Sequence, residues 1–94
     1  MVETLSARNF SPHLGSGFAV AGFEGVVLKL KVVSPCPPTP FRKEPFNLLF
    51  IGPLQPVLPQ AIYRLESLAM EPVEIFLVPV GRNEAGIEYE AVFN

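Results

Sequence analysis

The 94-residue sequence contains no aspartate, one histidine and one cysteine. Each scarcity removes a class of chemistry. A metal site built within one chain usually draws on several Cys, His and carboxylate ligands, and here only glutamates, His13 and Cys36 are on offer. Neither a metal nor a cofactor is expected. A single cysteine cannot close an intrachain disulfide, so nothing implies an oxidising compartment. Charge is also scarce. Charged residues are 17% of the chain and the net charge is -2, which gives no electrostatic reason to expect nucleic acid or an anionic membrane as partner. Long apolar runs are missing too: none approaches the ~20 residues that a membrane-spanning helix needs. The start, Met1-Val2-Glu3-Thr4-Leu5, lacks the basic region and apolar core of a signal peptide. The expectation is a soluble, cytoplasmic protein that binds neither membrane nor nucleic acid.

The residues left for catalysis are few. His13 lies in Ser11-Pro12-His13-Leu14-Gly15, far along the chain from Cys36 in Pro35-Cys36-Pro37-Pro38. No helix N-terminus follows Cys36 to lower its thiol pKa, so both read as loop and cap residues rather than a nucleophilic pair. Gly15-Ser16-Gly17 begins like a dinucleotide fingerprint, but the next glycine, Gly22, is misplaced and the segment reads as strand where a helix is required. Glu88 and Glu90 alternate in Ile87-Glu88-Tyr89-Glu90-Ala91, so they share one face of a strand. Paired carboxylates perform acid–base work where a cleft separates their pKa values. The simpler account is the solvated face of a half-buried strand. No catalytic residue is assigned.

Proline dominates what is present. Eight of the 11 prolines fall between Pro35 and Pro59, in two clusters around Phe46-Asn47-Leu48-Leu49-Phe50-Ile51. Proline has no backbone N–H and fixes φ, so the clusters mark two ordered loops around a strand and exclude a helix there.

Elsewhere the pattern has period two. Val26, Leu28, Leu30 and Val32 alternate with Lys29 and Lys31, which predicts a strand with an apolar inner face. The expected strands are 17–22, 26–33, 46–51, 61–67, 73–79 and 87–93, with turn residues at Gly22-Phe23-Glu24-Gly25 and across Gly81 to Gly86. Before them, Ser6 is placed to cap one turn of helix that stops at Pro12 and Gly15 and plugs the core with Leu5, Phe10 and Leu14. The prediction is one all-β domain over 1–94, a six-stranded antiparallel small barrel or sandwich with a short N-terminal helical turn. Leu28, Leu30, Phe46, Leu48, Phe50, Tyr63, Leu65, Ile75, Leu77, Tyr89, Ala91 and Phe93 form the expected core, with Lys29, Lys31, Arg64, Glu66, Glu88 and Glu90 outside.

Four segments carry a likeness: Leu5-Ser6-Ala7-Arg8-Asn9-Phe10 with His13-Leu14-Gly15, Arg42 through Phe50, Leu58 through Glu66, and Phe76 through Gly81 with Tyr89 through Asn94. Over nearly its full length the chain resembles a family of small all-β bacterial proteins known only as a domain of unknown function. The resemblance implies a free-standing short protein, with some members encoded near phage-tail-collar-like proteins, and it implies no activity, cofactor or catalytic residue.

Function is then argued from surfaces. The Pro37–Pro45 loop offers stiff backbone with Phe41, Arg42 and Lys43, residue types that suit a binding hot spot, or else a loop stiffened for stability. In the second loop Leu54, Val57 and Leu58 form either a lid or a contact patch. Two strands, Phe46–Ile51 and Val73–Val78, are apolar on both faces, and the surplus (Leu49, Ile51, Phe76, Val78, Val80) predicts a patch that a partner or a second copy covers. The leading expectation is a non-enzymatic interaction or assembly module. Two alternatives are a small-molecule-binding barrel or weak enzyme using Glu88, Glu90, Tyr89 or His13, and a single-stranded nucleic-acid binder using Lys29 and Lys31.

Overall fold

The computed structural model describes residues 6–40 and 44–93. A short helix α1 (Ala7–Phe10) and a 3₁₀ turn (Ser11–His13) lead into six strands: β1 (Gly17–Val20), β2 (Val27–Pro35), β3 (Phe46–Gly52), β4 (Ala61–Glu66), β5 (Val73–Asn83) and β6 (Gly86–Phe93). Every pairing is antiparallel, and the strands close in the order β1-β2-β3-β6-β5-β4, with β4 returning to β1 through Ala19↔Glu66 and Val20↔Leu65. The expected all-β class, strand number and N-terminal helical turn are therefore correct, and the ring closes as a barrel.

The two longest strands each serve two neighbours in turn. β2 pairs with β1 over Val27–Lys29 and then with β3 from Lys29 to Pro35. β5 pairs with β4 over Val73–Leu77 and with β6 from Val78 to Asn83. Each strand carries one register shift. Lys31 is left over between Leu30↔Phe50 and Val32↔Leu49, and Val80 between Pro79↔Tyr89 and Gly81↔Glu88. An extra residue of this kind bends a strand and lets it pass from one sheet to another at a corner.

The bulge at Lys31 corrects one expectation. Alternation alone places Val32 inside with Leu30, but the extra residue inverts the phase, so Val32 is 37% exposed and Val33 packs against the core instead. The rest of the inner face follows the pattern: Leu28, Leu30, Phe46, Leu48, Phe50, Tyr63, Leu65, Ile75, Leu77, Tyr89 and Ala91 are buried. Phe93 is half-buried, stacked on Phe46 with ring centroids 4.5 Å apart. Lys29, Lys31, Arg64 and Glu66 are exposed, whereas Glu88 and Glu90 are half-buried because neighbouring strands shade them: Ile51 stands in register with Glu88, and Leu49 and Val78 with Glu90. The hairpin between β5 and β6 is tighter than the six-residue turn expected. Asn83 and Gly86 still pair, and the Asn83 side-chain oxygen accepts the Ala85 N–H at 2.8 Å.

The helix closes one end of the ring. Its start is held by the Asn9 side-chain oxygen, which accepts from the Ser6 backbone N–H (2.7 Å) and the Ser6 hydroxyl (3.2 Å). Phe10 is fully buried and packs on Phe46 and Phe93, each 6.0 Å away between ring centroids. Leu14, expected in this plug, is 49% exposed: the Gly15 N–H donates to Leu30 O at 2.8 Å, which ties the backbone to β2 and turns Leu14 outward. Leu5 lies outside the described residues. The opposite end is capped by the loop between β3 and β4, where Leu58 is buried as a lid while Leu54 and Val57 stay exposed.

Candidate functional site

Among the described residues, no buried residue is polar or charged, and the ring is filled by aliphatic and aromatic side chains. Two tyrosines hold the Leu58 lid over this filling. The Tyr89 hydroxyl accepts the Leu58 N–H, and the Tyr63 hydroxyl donates to the Pro59 carbonyl. Tyr63 also meets Phe23 edge-on, with ring centroids 5.6 Å apart. Burial pushes its phenol pKa upward, with a smaller electrostatic contribution from Tyr89.

The groups considered for catalysis are spread over separate surroundings. Tyr89 is spent inside on the Leu58 N–H, while Glu88 and Glu90 project outward from β6. Glu88 meets Lys31 from across β3, at 3.7 Å. The Cys36 thiol donates to the Ser34 carbonyl at 3.8 Å. His13 lines a shallow open cleft of about 730 Å³ beside the helix, with Arg8, Asn9 and Pro12 on one wall and Met70–Glu74 on the other. Lys31, one of the two lysines considered for nucleic acid, has its charge matched by Glu88.

The outer face is more informative. Ile62 and Phe76 are direct cross-strand partners on β4 and β5, and both point outward, 67% and 49% exposed. Two residues along β5, Val78 stands beside Glu90, which stands beside Leu49, which stands beside Val32. Val80 and Val92, each 52% exposed, extend the same region. The result is an apolar band across β4, β5, β6, β3 and β2 with the Glu90 carboxylate inside it. Among the described residues no ion pair engages that carboxylate. On the other side of Phe76, Arg64 pairs in register with Glu74, and its guanidinium lies 3.2 Å from Glu66.

Phe76 thus lies within the band, towards its β4 end, and Leu49, Ile51, Val78 and Val80 share its outward side, half-buried except for exposed Val80. Leu54, on the lid loop, is 39% exposed. Phe41, Arg42 and Lys43 lie outside the described residues. Ile62, the most exposed member of the band, was not singled out in the sequence, although the phase of β4 carries the signal. With Tyr63 and Leu65 inward, Ile62 has to face out.

Fold and surface together define a small antiparallel β-barrel with a filled interior and an apolar outer band. The chain belongs to the family described as a domain of unknown function (DUF6916), which matches residues 5–93. No curated protein and no solved structure matches the chain. No helix among the described residues is long and apolar enough to cross a membrane.

Proposed function

We propose that this protein is a non-enzymatic interaction or assembly module that docks a protein on the outer face of β4, β5, β6 and β3. The observation that carries this reading is the Ile62–Phe76 pair, two large apolar side chains opposed on adjacent strands and both turned outward. Single exposed apolar residues are ordinary on protein surfaces, but a contiguous band of them marks a contact surface. A cross-strand aromatic–aliphatic pair also presents a stiff, pre-shaped surface, so little side-chain entropy is lost on docking. The resemblance to small bacterial proteins, some of them encoded near phage-tail-collar-like proteins, favours an accessory of a phage-tail-like assembly as the finer reading.

A photo-crosslinking amino acid placed at Ile62, in cells that naturally make the protein, tests the reading. The expected result is a discrete crosslinked product that disappears when Phe76→Glu is added and that is not formed from the same probe at Glu84, in the β5–β6 turn. Absence of any product dependent on Phe76 would overturn it.

A further inference from the structure

Both halves of an ion pair lie on this face, on opposite sides of Phe76. Glu90 stands one strand from β5 towards β6 and two residues further along, in register with Val78. Arg64 stands one strand from β5 on the β4 side and two residues back, in register with Glu74. With strands ~4.8 Å apart and ~3.4 Å per residue, each backbone position lies about 8 Å from Phe76, in opposite directions. All three side chains face outward, since Tyr63, Leu65, Ile75, Leu77, Tyr89 and Ala91 between them are buried.

We propose that the occupant of the face is a second copy of the chain, packed about a two-fold axis through Phe76, with Glu90 of each protomer meeting Arg64 of the other. This rests on the reading of the face as a docking surface. In a two-fold contact, if residue i of one copy touches residue j of its partner, then j touches i. With the axis lying in the interface through Phe76 and perpendicular to the Glu90–Arg64 line, the positions on its two flanks come opposite each other, so one symmetry operation makes the Glu90–Arg64 contact twice. Phe76 packs on its own copy, and Val78 comes to the neighbourhood of the partner's Ile62.

Charge selects this occupant over an unrelated apolar partner. A carboxylate set half-buried in an apolar band would lose its remaining water on docking and needs a cation opposite it. The chain itself supplies that cation at the matching offset. Arg64 can turn: its contact with Glu66 is a surface pair between residues half-exposed at their side chains, the kind that contributes little, and among the described residues its exposed in-register neighbour Glu74 makes no ion pair with it. Both are long side chains, so they reach across from the flanks of a convex barrel wall whose closest approach is at Phe76. The net charge of -2 per chain leaves little overall repulsion between copies.

Sedimentation velocity and light scattering over a concentration series test the proposal, with thermal unfolding confirming that each variant is folded. The parent is expected to dimerise, and R64E and E90R are each expected to raise the dimer dissociation constant by about tenfold or more. Mixing R64E with E90R is expected to restore a heterodimer, because both cross-pairs are then of opposite charge. R64E/E90R combined in one chain is expected to restore the homodimer. A parent that stays monomeric up to about 1 mM, the weak end of measurable association, would overturn the proposal. So would a dimer indifferent to both charge reversals, or one that the mixture fails to restore. The crosslink at Ile62 separates this failure from failure of the docking reading: a Phe76-dependent product with a different protein keeps the docking face and removes the second copy, and no product removes both.

Discussion

The Tyr89 hydroxyl accepts the backbone N–H of Leu58, 31 residues away, at 2.9 Å. The bond is buried, and it fastens the loop between β3 and β4 to the wall of the barrel. Removing only the acceptor, with Tyr89→Phe, leaves the Leu58 N–H without a partner and without access to water. Such a group costs about 1–3 kcal/mol. Urea unfolding is expected to register that loss, and hydrogen exchange is expected to quicken at Leu58 more than in β3 or β6. Unchanged protection at Leu58 would mean that packing of its side chain alone holds the lid.

A methyl group on Gly86 would fall 1.9 Å from the carbonyl oxygen of Gly52, and the Gly86 backbone is at φ +144°. Strain and overlap act together there. Gly22, at φ +86°, has open space around the same added atom. Gly22→Ala is expected to cost only the left-handed backbone penalty, about 1–2 kcal/mol. Gly86→Ala should cost clearly more and slide the β5–β6 hairpin away from Gly52, which shifted amide signals for Ile51, Gly52 and Ile87 would report.

Phe50 is fully buried and meets Phe18 edge-on, with ring centroids 5.7 Å apart. Its truncation to Ala is expected to cost roughly 3–5 kcal/mol, the usual loss for a buried aromatic. Phe76→Ala, on the opposite side of the wall, should change the stability of the isolated protomer by less than about 1 kcal/mol. Chemical denaturation of the two variants checks the assignment of inner and outer faces directly.

Stability is expected to fall in alkali through Tyr63. Burial raises its phenol pKa above the ordinary value of 10.0, so the folded chain holds this proton more tightly than the unfolded chain does. The stabilisation is complete below pH 10.0 and is lost as the pH climbs from there through the raised folded value. Tyr63→Phe should remove this part of the pH dependence while also deleting the bond to the Pro59 carbonyl. Unfolding curves for parent and variant between neutral pH and about pH 11 give the comparison.

Much of this was legible in the sequence, and the exceptions have physical causes. Period-two alternation identified the inner faces of β3, β4 and β6 because each is a straight run whose Phe50, Tyr63 or Tyr89 keeps phase with its neighbours. The same rule failed at Val32, since nothing in Leu30-Lys31-Val32 announces that Lys31 is skipped in pairing. A bulge is decided by where the ring must turn, which is a property of all six strands. Leu58 illustrates a different limit. Proline on either side of Val57 and Leu58 showed a stiff loop, but which side chain enters the core depends on the reach of Tyr89 from another strand. The apolar band was foreseen through Phe76 and Val78, yet its counter-charged flanks were not. Pairing Glu90 with Val78 and Arg64 with Glu74 requires the register, which composition does not carry.

The passage of β2 and β5 through both halves of the ring governs how the molecule comes apart. β1 and β4 are held on one side, β3 and β6 on the other, and each of the two bent strands contributes hydrogen bonds to both. Neither half retains a full set of strands if the other melts, so opening one withdraws the edge on which the other is built. Amide exchange from Phe18 and Leu65 should therefore share a single opening free energy with exchange from Leu48 and Tyr89, as one cooperative unit of unfolding.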